Sequence, residues 1–411
     1  MRINAARLMK RVEKMAQVGA TPGGGVTRLA LTDEDRAGRD LLGQWLREAG
    51  LTVRCDDLGN MTGRREGVDP EAPAVLIGSH CDSVKQGGRF DGALGVLAGL
   101  EVVETLNDAG VCTNRPLEIV NWTNEEGARF EPAMLASGAA AGRFSRQYVY
   151  DRRDSAGLRF EDELRRIGYL GDAAHRPGPA GAYLELHVEQ GPVLEDAGIP
   201  VAVVGGIVGI AWLEVVVKGR SDHAGPTPMA RRRDALAAAA RIISRVPELA
   251  RAQGADAMAT VGRLTLEPNV INVIPGHVVF SIDFRHPEEI GLDRMEAALR
   301  QTAAEAAAAN GVEIEISRFW TSEPTPFNAD VTAAIRRGCE EIAVDYLEMW
   351  SGAGHDARYM ADICPAGLIF ARSQGGISHS EQEYTTTADI EAAVNVVLAT
   401  TVELAGLANR L

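Results

Sequence analysis

Apolar runs of five or six residues, each closed by a charged or glycine-rich turn, alternate along this chain with longer stretches whose apolar side chains return every three or four positions. The first kind predicts buried strands and the second predicts helices packed on them. Residues 3–16 and 33–49 mix charged and apolar positions at helical spacing, with Thr32 or Asp33 placed to cap the second. Residues 74–79 are a continuous apolar run that delivers His80, Cys81 and Asp82 at its carboxyl end. A helix then starts near Asp91 and Gly92 and carries Leu94, Leu97, Leu100, Val103 and Leu106 at steps of three. Residues 117–122 form another apolar run ahead of Glu125 and Glu126, and 183–187 a third that ends on His187. Strand, helix, strand with charged groups at the strand ends is the pattern of an α/β sheet with its site at the carboxyl edge.

After residues 151–180, polar and weakly periodic with one short helix between loops, and a glycine-rich run at 205–209, the pattern changes. Strand-like 212–218, an alanine-rich helix over 230–246, strand-like 277–284, a helix over 292–309 and a strand at 312–316 follow. That order predicts an α+β insert over residues 212–326, with helices covering one face of an antiparallel sheet. The first domain resumes at 327, and 368–370 is its last internal strand before Ser378 and His379. The 411 residues exceed what one hydrophobic core usually organises, so a discontinuous domain of residues 1–211 and 327–411, interrupted by the insert, fits better than two beads on a string. Hinges are expected near Gly209 and Pro326.

Composition narrows the class of function. A formal charge of −15 argues against nucleic acid or an anionic membrane as partner. The first residues lack a long apolar stretch, so neither a secretory signal nor a membrane span is expected, and a reducing cytoplasm is the default location. Cys55, Cys81, Cys112, Cys339 and Cys364 have neither zinc-ribbon spacing nor the density of a disulfide scaffold. The run Thr21-Pro22-Gly23-Gly24-Gly25-Val26 lacks the lysine and hydroxyl residue of a phosphate loop and reads as a plain loop.

What remains distinctive is the set His80, Asp82, Asp91, Glu125, Glu126, His187 and His379, nearly every member next to an apolar run or a glycine-rich turn. Strand ends fix such ligands while loops leave room for substrate, which is what a hydrolytic metal centre needs. Cys81 lies between His80 and Asp82. If those two face the site from extended backbone, the thiol points away as a small apolar group. Glu125 and Glu126 cannot point alike on a regular strand, but on an irregular turn after Trp122 they can take separate tasks.

The segments Gly78-Ser79-His80-Cys81-Asp82-Ser83-Val84, Gly87-Gly88-Arg89-Phe90-Asp91-Gly92, Asn121 to Phe130, Leu186-His187-Val188-Glu189-Gln190-Gly191, His223-Ala224-Gly225, Asn272 to Gly276, Asp283-Phe284-Arg285-His286, Gly352 to Ala357 and Gly376-Ile377-Ser378-His379 occur in an order and spacing that resembles the amidase, hydantoinase and carbamoylase branch of the M20 dinuclear metallopeptidases. That branch includes N-carbamoyl-L-amino-acid hydrolases, β-ureidopropionases and allantoate amidohydrolases. The resemblance implies a metallopeptidase-like catalytic domain with a mixed sheet and an inserted lid and dimerisation domain. It also implies two divalent ions, Zn, Mn, Co or Ni, one held by His80, Asp91 and His187 and the other by Asp91, Glu126 and His379. Asp91 would bridge them, Asp82 would orient His80, and Glu125 would be the general base. His223 would reach across a homodimer to the developing oxyanion, Gln190 would line the ureido end of a small substrate, and Asn272 and Arg285 would bind its carboxylate. The first-choice activity is hydrolysis of an N-carbamoyl-L-amino acid, with carbamoyl-β-alanine and allantoate as alternative substrates. A noncatalytic metal-stabilised binding protein is the rival from another class. The segment His355-Asp356 receives no role.

Overall fold

The computed structural model describes residues 1–408. The chain divides into two compact units, one of residues 1–205 and 327–411 and one of residues 206–326. The junction expected at 211/212 falls inside the strand Gly209–Lys218, which belongs wholly to the inserted sheet, so the inserted unit starts at Gly206.

The sheet of the larger unit is mixed. Its centre consists of Leu117–Trp122, Val75–His80, Ala182–Val188 and Ala366–Ala371, adjacent in that order and mutually parallel. All three strands from Val75–His80 to Ala366–Ala371 are buried at every position. This explains their unbroken apolar character: strands covered on both faces have no solvent side to mark with polar residues. Antiparallel strands extend the edges, Met61–Arg65 and Thr52–Cys55 on one side and Val201–Ile207 on the other. The helices Ala5–Ala16, Asp33–Glu48, Ala93–Asp108 and Thr387–Ala405 contribute to one apolar cluster with this sheet. Thr32 caps the second of these, its side chain accepting from the Asp35 N–H.

The inserted unit is a four-stranded antiparallel sheet in the order Glu313–Ser322, Gly209–Lys218, His277–His286, Met258–Glu267. Along His277–His286 burial alternates strictly, with Val278, Phe280, Ile282 and Phe284 turned inward. They meet the apolar stripes of the helices Ala235–Arg251 and Glu289–Asn310. The alanine-rich helix lies later than residues 230–246. Met229–Arg231 is a separate 3-10 turn, Asp234 caps the helix, and the chain runs through Pro247 because Leu249 and Ala250 are still buried in this core. No helix among the described residues is long and apolar enough to cross a membrane.

Candidate metal centre

Parallel strands end at the same edge, so the four central strands bring residues far apart in sequence to one place. His80 is the last residue of Val75–His80 and lies in register with Trp122, three residues ahead of Glu125. His187 lies in register with Phe370 on the strand that precedes the His379 loop. Asp91 sits just before the helix Ala93–Asp108, joined to it by Gly92 at φ +62°. A Cβ at Gly92 would lie 2.3 Å from the His80 ring, so both the backbone angle and the close approach require glycine here.

Two triads share Asp91. Donor atoms of His80, Asp91 and His187 all lie within 4.8 Å of one another, and so do those of Asp91, Glu126 and His379. Asp91 Oδ1 is 3.8 Å from His80 Nε2 and 3.1 Å from His187 Nε2, whereas Oδ2 is 3.5 Å from His379 Nε2. The His379 Nε2 atom is also 3.3 Å from Glu126 Oε2. The Nδ1 atoms of His80 and His187 each lie 2.9 Å from a main-chain carbonyl, those of Asp82 and Val188. A carbonyl only accepts, so both Nδ1 atoms carry a proton and Nε2 is the atom turned to Asp91.

This donor set fits divalent cations. It consists of imidazole and carboxylate with no thiolate, and Glu126 Oε1 is buried without a hydrogen-bond partner. The electrostatics agree. Burial opposes a charge on His187, but the hydrogen bond and charge of Asp91 override it and raise its pKa to about 9. The hydrogen bond to Glu126 likewise lifts His379 to about 9 against burial. Burial also opposes ionisation of Asp91, and His187, His80 and His379 together hold it below the usual carboxylate range. Protons thus stand where cations would stand, and cation binding displaces them.

Glu125 belongs to neither triad, yet its Oε2 is 3.5 Å from His80 Nε2. Burial, then the charges of Asp356, Glu126, Asp82 and Glu185, push its carboxyl well above the ordinary value. A proton-holding carboxyl beside such a ligand set is placed for acid–base chemistry. The two neighbouring glutamates diverge because Asn124 adopts φ +59° and its side-chain amide donates to the Phe130 carbonyl at 2.7 Å, turning the chain sharply after the strand. In one respect the structure differs from expectation: the main-chain oxygen of Asp82, not its carboxylate, receives the His80 Nδ1 proton, since Oδ1 is 4.0 Å away. The Asp82 carboxylate instead accepts the N–H groups of Glu125 and Glu126 at 3.2 and 3.3 Å, so it holds the turn that carries both glutamates.

Gln190 also lies in this cluster, its Nε2 donating to Asp91 Oδ2 at 3.2 Å and to Ser378 Oγ at 3.1 Å. Glu383, to which the sequence reading gave no role, accepts the N–H groups of Phe90 and Asp91 at 3.2 and 3.0 Å and the Ser378 hydroxyl at 3.1 Å. Its place in Glu381-Gln382-Glu383 looks like a solvated surface run, and only the chain reversal shows that it fixes the Asp91 backbone. Cys81 is buried in the apolar cluster, and burial pushes its thiol up to about 12, as suits an inert packing group.

The inserted unit carries the other sequence-selected residues. His223 pairs with Val273 in a two-residue ladder, and the Ala224 N–H donates to the Asn272 carbonyl at 3.0 Å, so His223 and Asn272 are neighbours. The Gly225 N–H donates to His223 Nδ1 at 3.1 Å, which leaves the proton on Nε2 and makes that atom a donor. Arg285, on the solvent-side face of its strand, is held by Asp283 through Nε at 3.2 Å and Nη2 at 2.9 Å.

Comparison with known proteins adds an independent finding. Residues 76–403 match the model of peptidase family M20/M25/M40. The chain is 43% identical over 407 residues to an N-carbamoyl-L-amino acid amidohydrolase of Geobacillus stearothermophilus, covering 98% of this chain and 99% of that one. It is 43% identical over 382 residues to an N-carbamoyl-L-amino-acid amidohydrolase of Rhizobium meliloti, covering 93% and 92%. A solved hydantoinase/carbamoylase family amidase of Burkholderia multivorans superimposes with a TM-score of 0.95 at 46% identity, covering 98% of each chain.

Proposed function

The chain belongs to peptidase family M20/M25/M40, in its hydantoinase/carbamoylase branch, and from that membership we propose that it hydrolyses the ureido C–N bond of an N-carbamoyl-L-amino acid, giving the L-amino acid, carbon dioxide and ammonia. The observation that carries the reading is Asp91 shared between two ligand triads, with Glu125 beside them and outside both.

His80, Asp91 and His187 would hold one divalent cation, and Asp91, Glu126 and His379 a second, of Zn, Mn, Co or Ni. When bound, such ions lower the pKa of water and polarise a carbonyl oxygen. Glu125 takes a proton from the attacking water, then delivers it to the nitrogen that leaves as the C–N bond breaks. The carbamate set free falls apart into carbon dioxide and ammonia. The Asp82 carboxylate holds Glu125 in place through its main-chain N–H. Gln190, bound to the Asp91 carboxylate, is assigned to the ureido end of the substrate. Arg285 and Asn272 are assigned to the substrate carboxylate, for which a guanidinium offers a two-pronged match. The Nε2 donor of His223 is assigned to the developing oxyanion. The unpaired state of all five cysteines suits a reducing compartment, so the enzyme is assigned to the cytoplasm.

The test is a metal-reconstituted panel of N-carbamoyl-L-amino acids, their D forms, N-carbamoyl-β-alanine and allantoate, with ammonia release as readout. Turnover of the L series above the rest is the expected result. Preference for carbamoyl-β-alanine or allantoate would reassign the substrate, and metal-loaded protein inert toward the whole panel would restore the reading as a noncatalytic metal-binding protein.

A homodimer in which His223 serves the neighbouring subunit is part of this proposal. Beside Asn272 the loop tip exposes Val270 and Ile271, the latter at 103% relative exposure, an apolar tip that suits burial in a partner. Inactive His223→Ala and inactive Glu125→Gln proteins, mixed under subunit exchange, should regain activity, because one site in the heterodimer then has both wild-type groups. Verified heterodimers that stay inactive would place His223 in its own chain's chemistry or in none.

A further inference from the structure

Glu185 is fully buried on Ala182–Val188, two residues ahead of His187. Its Oε1 accepts from Ser79 Oγ at 2.9 Å, and its Oε2 accepts from the Ala357 N–H at 2.8 Å and the Tyr183 hydroxyl at 3.2 Å. The Tyr183 oxygen in turn accepts from Trp122 Nε1 at 3.0 Å. The three donors to Glu185 are neutral groups. A charge is costly to bury unless its oxygens are hydrogen-bonded, so burial alone does not account for a carboxylate here.

Its donors do. Ser79 precedes His80, Trp122 precedes the turn carrying Glu125 and Glu126, and Glu185 itself stands beside His187 on the strand. Ala357 closes the His355-Asp356 segment, whose histidine packs its ring against the His187 ring at 4.5 Å between centroids. Asp356 accepts from the Ser137 hydroxyl, tying in the helix Leu135–Ala140 as well. Glu185 therefore holds the end of Val75–His80 and the segment that backs His187 directly, stands on the His187 strand itself, and reaches the end of Leu117–Trp122 through Tyr183.

We propose that Glu185 is a positioning residue for the metal centre, clamping the His355–Ala357 segment and the ends of three parallel strands so that His80 and His187 both face Asp91. This rests on the two-cation reading of the site. It assigns the His355-Asp356 motif a part in that clamp. Imidazole ligands depend on fixed ring orientation, and loss of groups that set it typically costs about 10–100-fold in metal affinity or activity.

The test uses metal-free protein titrated with Co(II), followed by its visible absorption, so it needs no substrate. Glu185→Leu removes all three acceptor contacts, which lowers apo stability by stranding three buried donors, and in the folded protein should weaken Co(II) binding about 10–100-fold and alter the absorption band. Glu185→Gln keeps one acceptor oxygen and should fall between Glu185→Leu and wild type. Tyr183→Phe removes one donor and should give a smaller shift in the same direction. Wild-type affinity and spectrum in a folded Glu185→Leu protein would overturn the proposal. If that variant does not fold, wild-type behaviour of both Glu185→Gln and Tyr183→Phe would overturn it instead. Failure of the ureido panel with these affinity losses intact would count against the substrate assignment and leave the clamp standing.

Discussion

Replacing Glu125 with Gln is expected to lower kcat at least about 100-fold while leaving the metal content of the protein unchanged, the lower range of what one positioned acid–base group contributes. Gln is the same size and makes similar contacts, so the buried turn around Asn124 stays intact, but it can neither take nor return a proton. The structure separates this residue from its neighbour: Glu126 Oε2 faces His379 at 3.3 Å within a triad, whereas Glu125 Oε2 faces His80 Nε2 at 3.5 Å from outside both triads. Burial and four surrounding carboxylates raise the Glu125 carboxyl above its ordinary value. A base must be ionised to act, so kcat/KM should fall with decreasing pH as Glu125 takes up its proton, and this acid limb should vanish in the residual rate of the variant. Kinetics together with metal counting decide the matter. Near-normal kcat would remove Glu125 from the mechanism, and loss of metal in step with activity would make it a ligand.

The fold was readable where burial is complete. Val75–His80 and Ala182–Val188 are buried at every position and Leu117–Trp122 at every position but Glu118, and their apolar runs stand out without knowledge of any partner. Strands with mixed exposure were not readable. Met258–Glu267 is an edge strand with no fully buried position, so no apolar run marks it, and its Arg263, Thr265 and Glu267 read as loop. Val201–Ile207 hid behind Gly205 and Gly206, which suggest a linker although the strand pairs with Ala366–Ala371. The hairpin of Thr52–Cys55 and Met61–Arg65 and the strand Tyr346–Ser351 carry arginines or glutamate that mask their period.

In the site, the residues that touch one another across strand ends were legible because each stands next to an apolar run. Their supports were not. The His80 hydrogen bond to Asp82 is made by a main-chain oxygen, which no side-chain pattern can encode. Glu383 sits 292 residues from the Asp91 N–H it accepts, in a run of polar residues that resembles surface. Glu185 looks in the sequence like the polar position of an ordinary strand, and its burial becomes visible only when Ser79, Tyr183 and Ala357 converge on it. Ligands announce themselves by residue type and place, whereas the groups that aim them are specified by tertiary packing.

Changing Asp91 to Asn should reduce the metal content from two ions per chain to at most one and abolish turnover. Oδ1 serves the His80 and His187 side and Oδ2 the His379 and Glu126 side, so each triad counts the same carboxylate as its third member. Asn keeps one acceptor oxygen and replaces the other with an NH2 group, which donates hydrogen bonds and cannot ligate a cation. It also removes the negative charge that holds His187 near pKa 9, leaving that imidazole easier to deprotonate but with no anion to share. Whichever way the amide turns, one triad is left with two ligands, and the backbone N–H bond to Glu383 keeps the loop in place so that the loss is chemical, not structural. Metal counting after dialysis, with circular dichroism to confirm the fold, reads the outcome. Two tightly held ions and normal turnover in Asp91→Asn would show that the triads do not share this carboxylate, and the two-cation reading of the site would fall with it.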